Sequence, residues 1–176
     1  MAKAILSALG SNGYVTKGYG QVEPNHLSAQ RTHQIYAQLP AAEGIEVLEN
    51  GQYVKYDYAK GVVDFAGEGE WMLVYNEVKV YGDYEGDQDY AMIKATEGFG
   101  ANVDIVPRVF KTNIGDIYTT NTIKETSLKL EDTLTPGSDG YLTKTGADAE
   151  GVMKWQVVKV YTLADGQPAV KLMRIA

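Results

Sequence analysis

A turn-and-strand pattern that occurs twice is the feature that most constrains the fold of this chain. Residues 48–57 and 134–144 each place an Asn-Gly or Asp-Gly turn between runs that are typical of strands. Each copy is followed by a tryptophan-led apolar run that ends in Val-Lys-Val-Tyr, at residues 78–81 and 158–161. The matching tyrosines lie 88 residues apart in the turn motif and 80 residues apart in the tetrapeptide. A duplicated all-β unit explains this spacing better than chance recurrence does.

Short strands at close spacing are predicted from Gly44 onward. Asn50-Gly51, Asp139-Gly140 and Asp165-Gly166 supply the positive φ angles that tight hairpins require. Alternation in the two tetrapeptide strands places both valines toward the core and the lysine and tyrosine on the opposite face. We therefore predict an all-β fold, a short-stranded β-barrel or sandwich with hairpin meanders. The predicted strands cover residues 45–48, 52–58, 71–75, 77–81, 91–94, 103–110, 117–120, 127–130, 141–143, 153–161 and 169–175.

The N-terminal part of the chain has a different composition. Residues 1–40 are rich in Ala, Ser, Gly, Gln and Asn, and they show neither strand alternation nor a sustained apolar stripe. We predict an extended N-terminal arm at residues 1–40 and a β domain at residues 41–176. Within that domain, pseudo-repeats are expected at about residues 44–95 and 126–176.

Composition excludes several classes of protein. The net charge of −7 argues against binding to nucleic acid, which requires a cationic face. The chain has no cysteine, so a disulfide framework and thiolate metal sites are excluded. No hydrophobic stretch approaches the roughly 18 residues of a transmembrane helix, and no signal peptide is recognisable. We expect a soluble protein that binds neither membranes nor nucleic acid.

Residues suited to catalysis or metal binding are sparse. The two histidines, His26 and His33, both lie in the predicted arm, where no strand frame would hold them for acid–base chemistry. The acidic loop at residues 83–89 has its glycine at the fourth position rather than the sixth, so it does not match an EF-hand loop. We predict no catalytic residue, no metal site and no cofactor.

Four segments carry a resemblance to a known family. They are GQYVKYD after the first turn, LSAQRTHQIYAQLPA at residues 27–41, IVPRVFKTNIGDIYTTN at residues 105–121, and WQVVKVYTLADGQPAVKLMRIA at residues 155–176. Together they resemble the capsid decoration, or head cement, proteins of tailed bacteriophages, over most of the chain. The resemblance implies a non-enzymatic structural protein that is made in the bacterial cytoplasm. In the virion it would lie on the outer surface of the capsid and brace neighbouring subunits of the major capsid protein.

Candidate partner-binding residues fall into two groups. The largest side chains of the arm are expected to anchor it on the capsid, unless they pack against the chain's own β domain. The exposed faces of the two tetrapeptide strands supply the second group. A homotrimer is favoured over a monomer, because threefold symmetry suits three-subunit junctions of an icosahedral lattice. These candidates are Arg31, Ile35, Tyr36, Leu39, Lys79, Tyr81, Lys159 and Tyr161.

Two other functions are compatible with the sequence. A carbohydrate-binding or adhesin-like module of a virion would use an aromatic platform formed by Tyr53, Tyr56, Tyr58, Tyr81 and Tyr84. A hydrolase would need a carboxylate pair drawn from Asp57, Asp64, Glu68 and Glu70. The duplication also makes a structural prediction. Trp71 and Trp155 should be comparably buried, and changing either to alanine should destabilise the fold by about 3 to 5 kcal/mol.

Overall fold

The structure is a computed structural model that describes residues 22–27, 35–37, 39–76, 79–80, 88–89, 91–93, 105–163 and 166–176. The described residues form strands and turns without any helix, which confirms the prediction of an all-β fold. No helix long and apolar enough to cross a membrane occurs among them either. The strands are β1 (Val22–His26), β2 (Ile35–Ala37), β3 (Val47–Glu49), β4 (Tyr53–Asp57), β5 (Val62–Asp64), β6 (Glu68–Val74), β7 (Lys79–Val80), β8 (Gln88–Asp89), β9 (Ala91–Ile93), β10 (Arg108–Phe110), β11 (Ile117–Thr120), β12 (Thr133–Pro136), β13 (Leu142–Thr143), β14 (Trp155–Thr162) and β15 (Pro168–Arg174).

Two curled sheets, each a half-barrel, organise most of these strands. The six-stranded sheet has the order β1-β11-β15-β14-β12-β13, and the five-stranded sheet has the order β2-β10-β6-β4-β5. Neighbouring strands in both sheets run antiparallel. Strands β3 and β9 form a separate pair, as do β7 and β8. Antiparallel neighbours fit the short connections and glycine turns of the sequence.

The centre of the five-stranded sheet is buried on both faces. In β4, Tyr53 belongs to a first core that also contains Trp155 and Leu172 of the six-stranded sheet. The next residue, Val54, belongs to a second core on the opposite face of β4. Because side chains alternate along a strand, each of the central strands serves both cores. The first core therefore joins the two sheets, and the second lies on the far side of the five-stranded sheet.

The described parts of the predicted N-terminal arm lie within the sheets. Strand β1 pairs with β11, and β2 pairs with β10. Leu27, directly after β1, is buried in the first core. These residues are extended, as expected for an arm. They nevertheless pair with strands of the β domain, so the expected boundary between arm and domain at residue 40 does not separate them from it. The physical reason is that β1 and β2 satisfy the outer hydrogen-bonding groups of β11 and β10, which a local sequence pattern does not reveal.

The two glycine turns of the repeated pattern pack against each other. The Tyr53 N–H donates to the Gly140 carbonyl at 2.8 Å, and the Gln52 side chain donates to the Asp139 carbonyl at 3.0 Å. On the other side of the first turn, the Thr122 hydroxyl donates to the Asn50 carbonyl at 2.6 Å. These bonds connect the start of β4 to the β12–β13 turn and to the end of β11. The contact between the turns therefore joins the two sheets.

Buried polar side chains complete this junction. Glu49 is fully buried, and its carboxylate accepts a short hydrogen bond from the Tyr141 hydroxyl. Its backbone N–H donates to the Gln52 side chain at 2.6 Å. Burial, together with the hydrogen bond to Glu49, raises the pKa of Tyr141 well above its ordinary value. A buried carboxylate is costly unless it is hydrogen-bonded, so the hydrogen bond from Tyr141 helps to offset the cost of burying Glu49.

The two copies of the repeated pattern fold differently. Asp139-Gly140 closes a hairpin between the paired strands β12 and β13, and Gly166 lies in the connection between the paired strands β14 and β15. Asn50-Gly51 instead links β3, which pairs with β9, to β4, which pairs with β5 and β6. The predicted hairpin at residues 48–57 is therefore wrong. A positive φ at Gly51 makes a turn, but it does not determine whether the flanking strands pair with each other.

Replacing Gly140 by alanine should destabilise the protein strongly. Its φ is +77°, and an added Cβ would clash with the Tyr53 carbonyl and lie 2.7 Å from a ring carbon of Phe65. We expect a loss of about 3 kcal/mol, from the left-handed conformation and the overpacking together. Gly146→Ala is the matched control, since its φ is +81° with nothing within 4 Å of the new Cβ. Chemical denaturation of both variants tests this, and equal losses would contradict it.

The two tryptophans occupy different environments. Trp155 is fully buried, with the Tyr118 ring edge-on at 4.9 Å between ring centroids. Trp71 is half-buried at the border of the same core. The expectation of comparable burial is therefore wrong, because one side of Trp71 faces an opening between the sheets. The sequence repeat does not place its two tryptophans in equivalent positions.

Alanine substitutions at the two tryptophans should accordingly differ in cost. Trp155→Ala removes a fully buried ring and should cost about 3 to 5 kcal/mol. Trp71→Ala should cost less than half as much, because part of its surface is already exposed to solvent. Trp155→Phe is a third variant, which keeps an aromatic ring in the core and removes the indole N–H. The indole N–H has no hydrogen-bond acceptor among the described residues, so its removal breaks no hydrogen bond to them. Equilibrium unfolding of the three variants checks the order, and similar losses at both alanine variants would contradict it.

A pair of buried tyrosines should make the fold sensitive to alkali. The Tyr53 hydroxyl donates to the Tyr118 hydroxyl at 2.9 Å inside the first core, and burial raises the pKa of both phenols well above 10. Both groups stay protonated in the folded state at a pH where the unfolded chain releases their protons. The contribution of these two phenols to stability should therefore be constant below about pH 10 and fall above it, by up to about 1.4 kcal/mol per pH unit for each phenol.

Denaturant titrations from neutral to alkaline pH, with phenolate absorbance as a second signal, measure this effect. The double variant Tyr53→Phe/Tyr118→Phe serves as the control, and its stability should fall less steeply above pH 10. An identical slope in the double variant would show that other groups cause the alkaline unfolding.

Candidate partner-binding site

The second half of β14 is an open sheet edge. Along one side, residues 159–162 pair with β15. Along the other side, β12 reaches only as far as Gln156, and the preceding turn extends the contact to Val157. No described residue pairs with 158–162 on that side. Unpaired N–H and C=O groups of an edge strand are ready to pair with an added strand.

The turn before β12 explains why pairing stops. Glu131 has a φ of +71°, the left-handed conformation that is uncommon outside glycine. Its N–H donates to the Val157 carbonyl at 2.9 Å, and the Asp132 N–H donates to the Lys129 carbonyl at 3.3 Å. The chain thus approaches β14 through this turn and leaves residues 158–162 uncovered. Leu130 directly precedes Glu131 and is 64% exposed, so an apolar side chain lies beside the open edge.

The valines of the tetrapeptide are exposed in β14. A bulge falls between Val157 and Lys159, so Val158 is an extra residue relative to β15. Val158 is 37% exposed and Val160 is 42% exposed, which corrects the prediction that both point into the core. Val160 lies opposite Val170, which is buried in the first core. It is therefore at the border of that core, where the second sheet no longer covers it. Val158, Val160 and Leu130, with the backbone of residues 158–162, are called the β14 edge below.

On the opposite face of β14, the structure agrees more closely with the prediction that Lys159 and Tyr161 lie on the side away from the core. Lys159 is exposed, and its ammonium group lies 5.3 Å from the centroid of the Tyr161 ring. Tyr161 is half-buried, and its hydroxyl donates to the Glu23 carboxylate at 3.0 Å. Burial is the main cause that raises the pKa of Tyr161. Tyr161 thus contacts β1 across the outer face of the sheet, while Lys159 stays accessible.

The remaining predicted contact residues are placed as follows. Leu39 is half-buried and packs against the second core, so it contacts the chain's own domain. Ile35 and Tyr36 lie in β2, opposite Phe110 and Val109 of β10. Lys79 lies in β7, opposite Asp89. Arg31 and Tyr81 lie outside the described residues, as do Tyr84, His33 and residues 83–87 of the acidic loop. The structure therefore brings Lys159 and Tyr161 together and does not group them with Leu39.

The residues suggested for other functions are mostly engaged in local contacts. Tyr53 and Tyr56 are buried and cannot form a sugar-binding platform, whereas Tyr58 is exposed. Asp57 pairs with Lys60 at 3.0 Å, and the hydrogen bond from Lys60 lowers the pKa of its carboxyl. The Asp64 carboxylate accepts the Phe65 N–H, Glu70 pairs with Lys111, and Glu68 is exposed. Within the described ranges, no group of three or more acidic or histidine side chains is placed to hold a metal ion.

Sequence reasoning missed the β14 edge because its two causes are tertiary. The bulge at Val158 appears only in the register with β15, and the left-handed turn at Glu131 has no glycine to mark it. The sequence did carry one signal, because the run of alternating apolar and polar residues in β14 is longer than the run in its partner strand β15. No family model, characterised protein or solved structure matches this chain.

Proposed function

We propose that this chain is a non-enzymatic structural protein that binds the outer surface of a phage capsid and stabilises contacts between major capsid protein subunits. The observation that carries the proposal is the β14 edge. It combines unpaired backbone groups with three exposed apolar side chains, Leu130, Val158 and Val160. This combination is suited to binding another protein by strand addition.

Strand addition would fix the orientation of the partner. Leu163 N–H donates to the Gln167 carbonyl at 2.8 Å, which sets the alternation of hydrogen bonds along the β14–β15 hairpin. In that alternation, the backbone groups of Lys159 and Tyr161 face β15, and those of Val160 and Thr162 face outward. A partner strand would bond to Val160 and Thr162 while its side chains cover the exposed valines. A capsid subunit can supply such a segment from an exposed loop or strand edge.

Binding to an assembled shell would stabilise that shell by mass action. A protein that binds assembled subunits and not separated ones shifts the equilibrium toward assembly. A homotrimer would bring three β14 edges to one junction, and each later contact would form intramolecularly. Avidity then rises by about 10² to 10⁴ over a single contact. We therefore propose a trimer as the binding form, which light scattering at several concentrations tests directly.

Charge placed on the β14 edge should weaken capsid binding. The double variant Val158→Lys/Val160→Lys buries two ammonium groups at the proposed contact. We expect a loss of affinity of about 30-fold, equivalent to ~2 kcal/mol at the centre of an interface. Co-sedimentation with mature capsids measures it, and immature capsids show whether binding depends on the expanded shell.

Ile114→Lys is the matched control for this experiment. Ile114 is also strongly exposed, but it lies in the loop before β11, beside Arg174 and at the opposite end of the six-stranded sheet. The control variant should bind like the wild type, and circular dichroism should show both variants folded. Unchanged binding of the double variant would exclude the β14 edge as the contact. Failure of the wild-type protein to bind either form of capsid would refute the capsid proposal itself.

A further inference from the structure

A cleft of about 800 Å³ opens at the border of the first core. One wall comes from Lys55 of β4 and from Glu70 and Trp71 of β6. The facing wall comes from the β12–β13 hairpin and from the loop before β14. The cleft is therefore formed where the two sheets separate, and it lies apart from the β14 edge.

Trp71 supplies an apolar surface in this cleft. Its ring is half-buried against the first core and also lines the opening. The Lys55 ammonium group lies 4.7 Å from the centroid of the ring. A cation over an exposed aromatic ring is held weakly, so a ligand anion can draw Lys55 away from the ring face. The pair thus offers a cation and a flat apolar surface side by side.

Two ion pairs contribute hydrogen-bonding groups to the lining of the cleft, one through both partners and the other through Glu70 alone. Lys124 pairs with Asp139 at 2.6 Å, and Lys111 pairs with Glu70 at 2.5 Å. All four side chains are between 38% and 59% exposed. The Lys124–Asp139 pair therefore presents a donor and an acceptor close together and accessible to a ligand, and Glu70 adds a further acceptor. Neighbouring hydroxyls on a sugar ring can accept from the lysine and donate to the carboxylate at the same time.

The charge of the lining differs from that of the whole chain. Lys55, Lys124 and Arg174 line the cleft together with the carboxylates of Glu70 and Asp139. The chain as a whole has a net charge of −7. Lys55 has no ion-pair partner among the described residues, whereas both carboxylates are paired with lysines. The cleft is thus a locally cationic site in an acidic protein.

We propose that this cleft binds a saccharide that carries carboxylate groups. In this arrangement, one face of a sugar ring stacks on Trp71, and a sugar carboxylate pairs with Lys55. Sugar hydroxyls contact the Lys124–Asp139 pair. An acidic peptide fits less well, because it has few hydroxyl groups to donate to Glu70 and Asp139. The proposal concerns a surface and a ligand different from those of capsid binding, so either can fail without the other.

The two tryptophans make the binding measurable. Trp155 is fully buried, so acrylamide quenching of the intrinsic fluorescence reports mainly on Trp71. The probes are oligogalacturonate, alginate oligomers and sialyllactose, with uncharged galactose oligomers and hexaglutamate as comparisons. At least one acidic saccharide should protect Trp71 from quenching and bind more than tenfold more tightly than the uncharged oligomers and hexaglutamate. Calorimetry gives the affinities.

Matched variants separate the two contacts. Lys55→Gln should lower affinity for the acidic saccharide at least tenfold, whereas Lys60→Gln, at an exposed lysine between β4 and β5, should leave it unchanged. Trp71→Ala should abolish binding, and Tyr58→Ala, at an exposed ring outside the cleft, should not. Binding of hexaglutamate as tight as that of the saccharides would show a general anion site and overturn the proposal. Failure of all acidic saccharides to bind at millimolar concentration would also overturn it.

Discussion

The contact between the two glycine turns is the constraint on which the arrangement of the sheets depends. Neither turn has space for a side chain at its glycine, because Thr120 and Thr122 lie against Gly51, and the Tyr53 carbonyl and the Phe65 ring lie against Gly140. Backbone hydrogen bonds then replace side-chain packing between them, with the Tyr53 N–H bound to the Gly140 carbonyl. Glu49 and Tyr141 close the same junction with a buried hydrogen bond. Since both sheets end at this junction, the turns fix the position of one sheet relative to the other and so define where the cleft and the first core lie.

The sequence predicts the class of fold and several strands, and it fails where pairing is decided at long range. The prediction at residues 117–120 matches β11, and those around β4 and β15 differ by one or two residues. In contrast, β1, β2, β5 and β8 have no counterpart among the predicted strands, and residues 127–130 form no strand. The run at the start of residues 134–144 was recognised as strand-like, but the pairing of β12 with β14 is a long-range contact that the local pattern does not indicate. The sequence repeat is real as a pattern, yet its two turns contact each other and its two tryptophans differ in burial.

The candidate site was predictable only in part, because long-range strand pairing also decides which residues of β14 are exposed. Lys159 and Tyr161 were identified from strand alternation, which holds on that face of β14. The valines between and before them were assigned to the core, because alternation takes no account of a bulge or of where the opposite sheet ends. The arm anchors were chosen as large side chains in a segment without apparent structure. Leu39 packs on the second core, and β2 pairs with β10, so part of that segment is ordered by the domain itself.

The open edge of β14 also bears on the self-association of the protein. An exposed edge with alternating valines is a template for uncontrolled self-association. The bulge at Val158 disrupts the regular spacing of backbone groups, and the charged Lys159 lies between the two valines. Both features disfavour repeated edge-to-edge pairing between copies of this chain, and they still permit pairing with a single strand of a different protein. The irregularity that local sequence patterns do not reveal is therefore also a feature that disfavours regular pairing between identical edges.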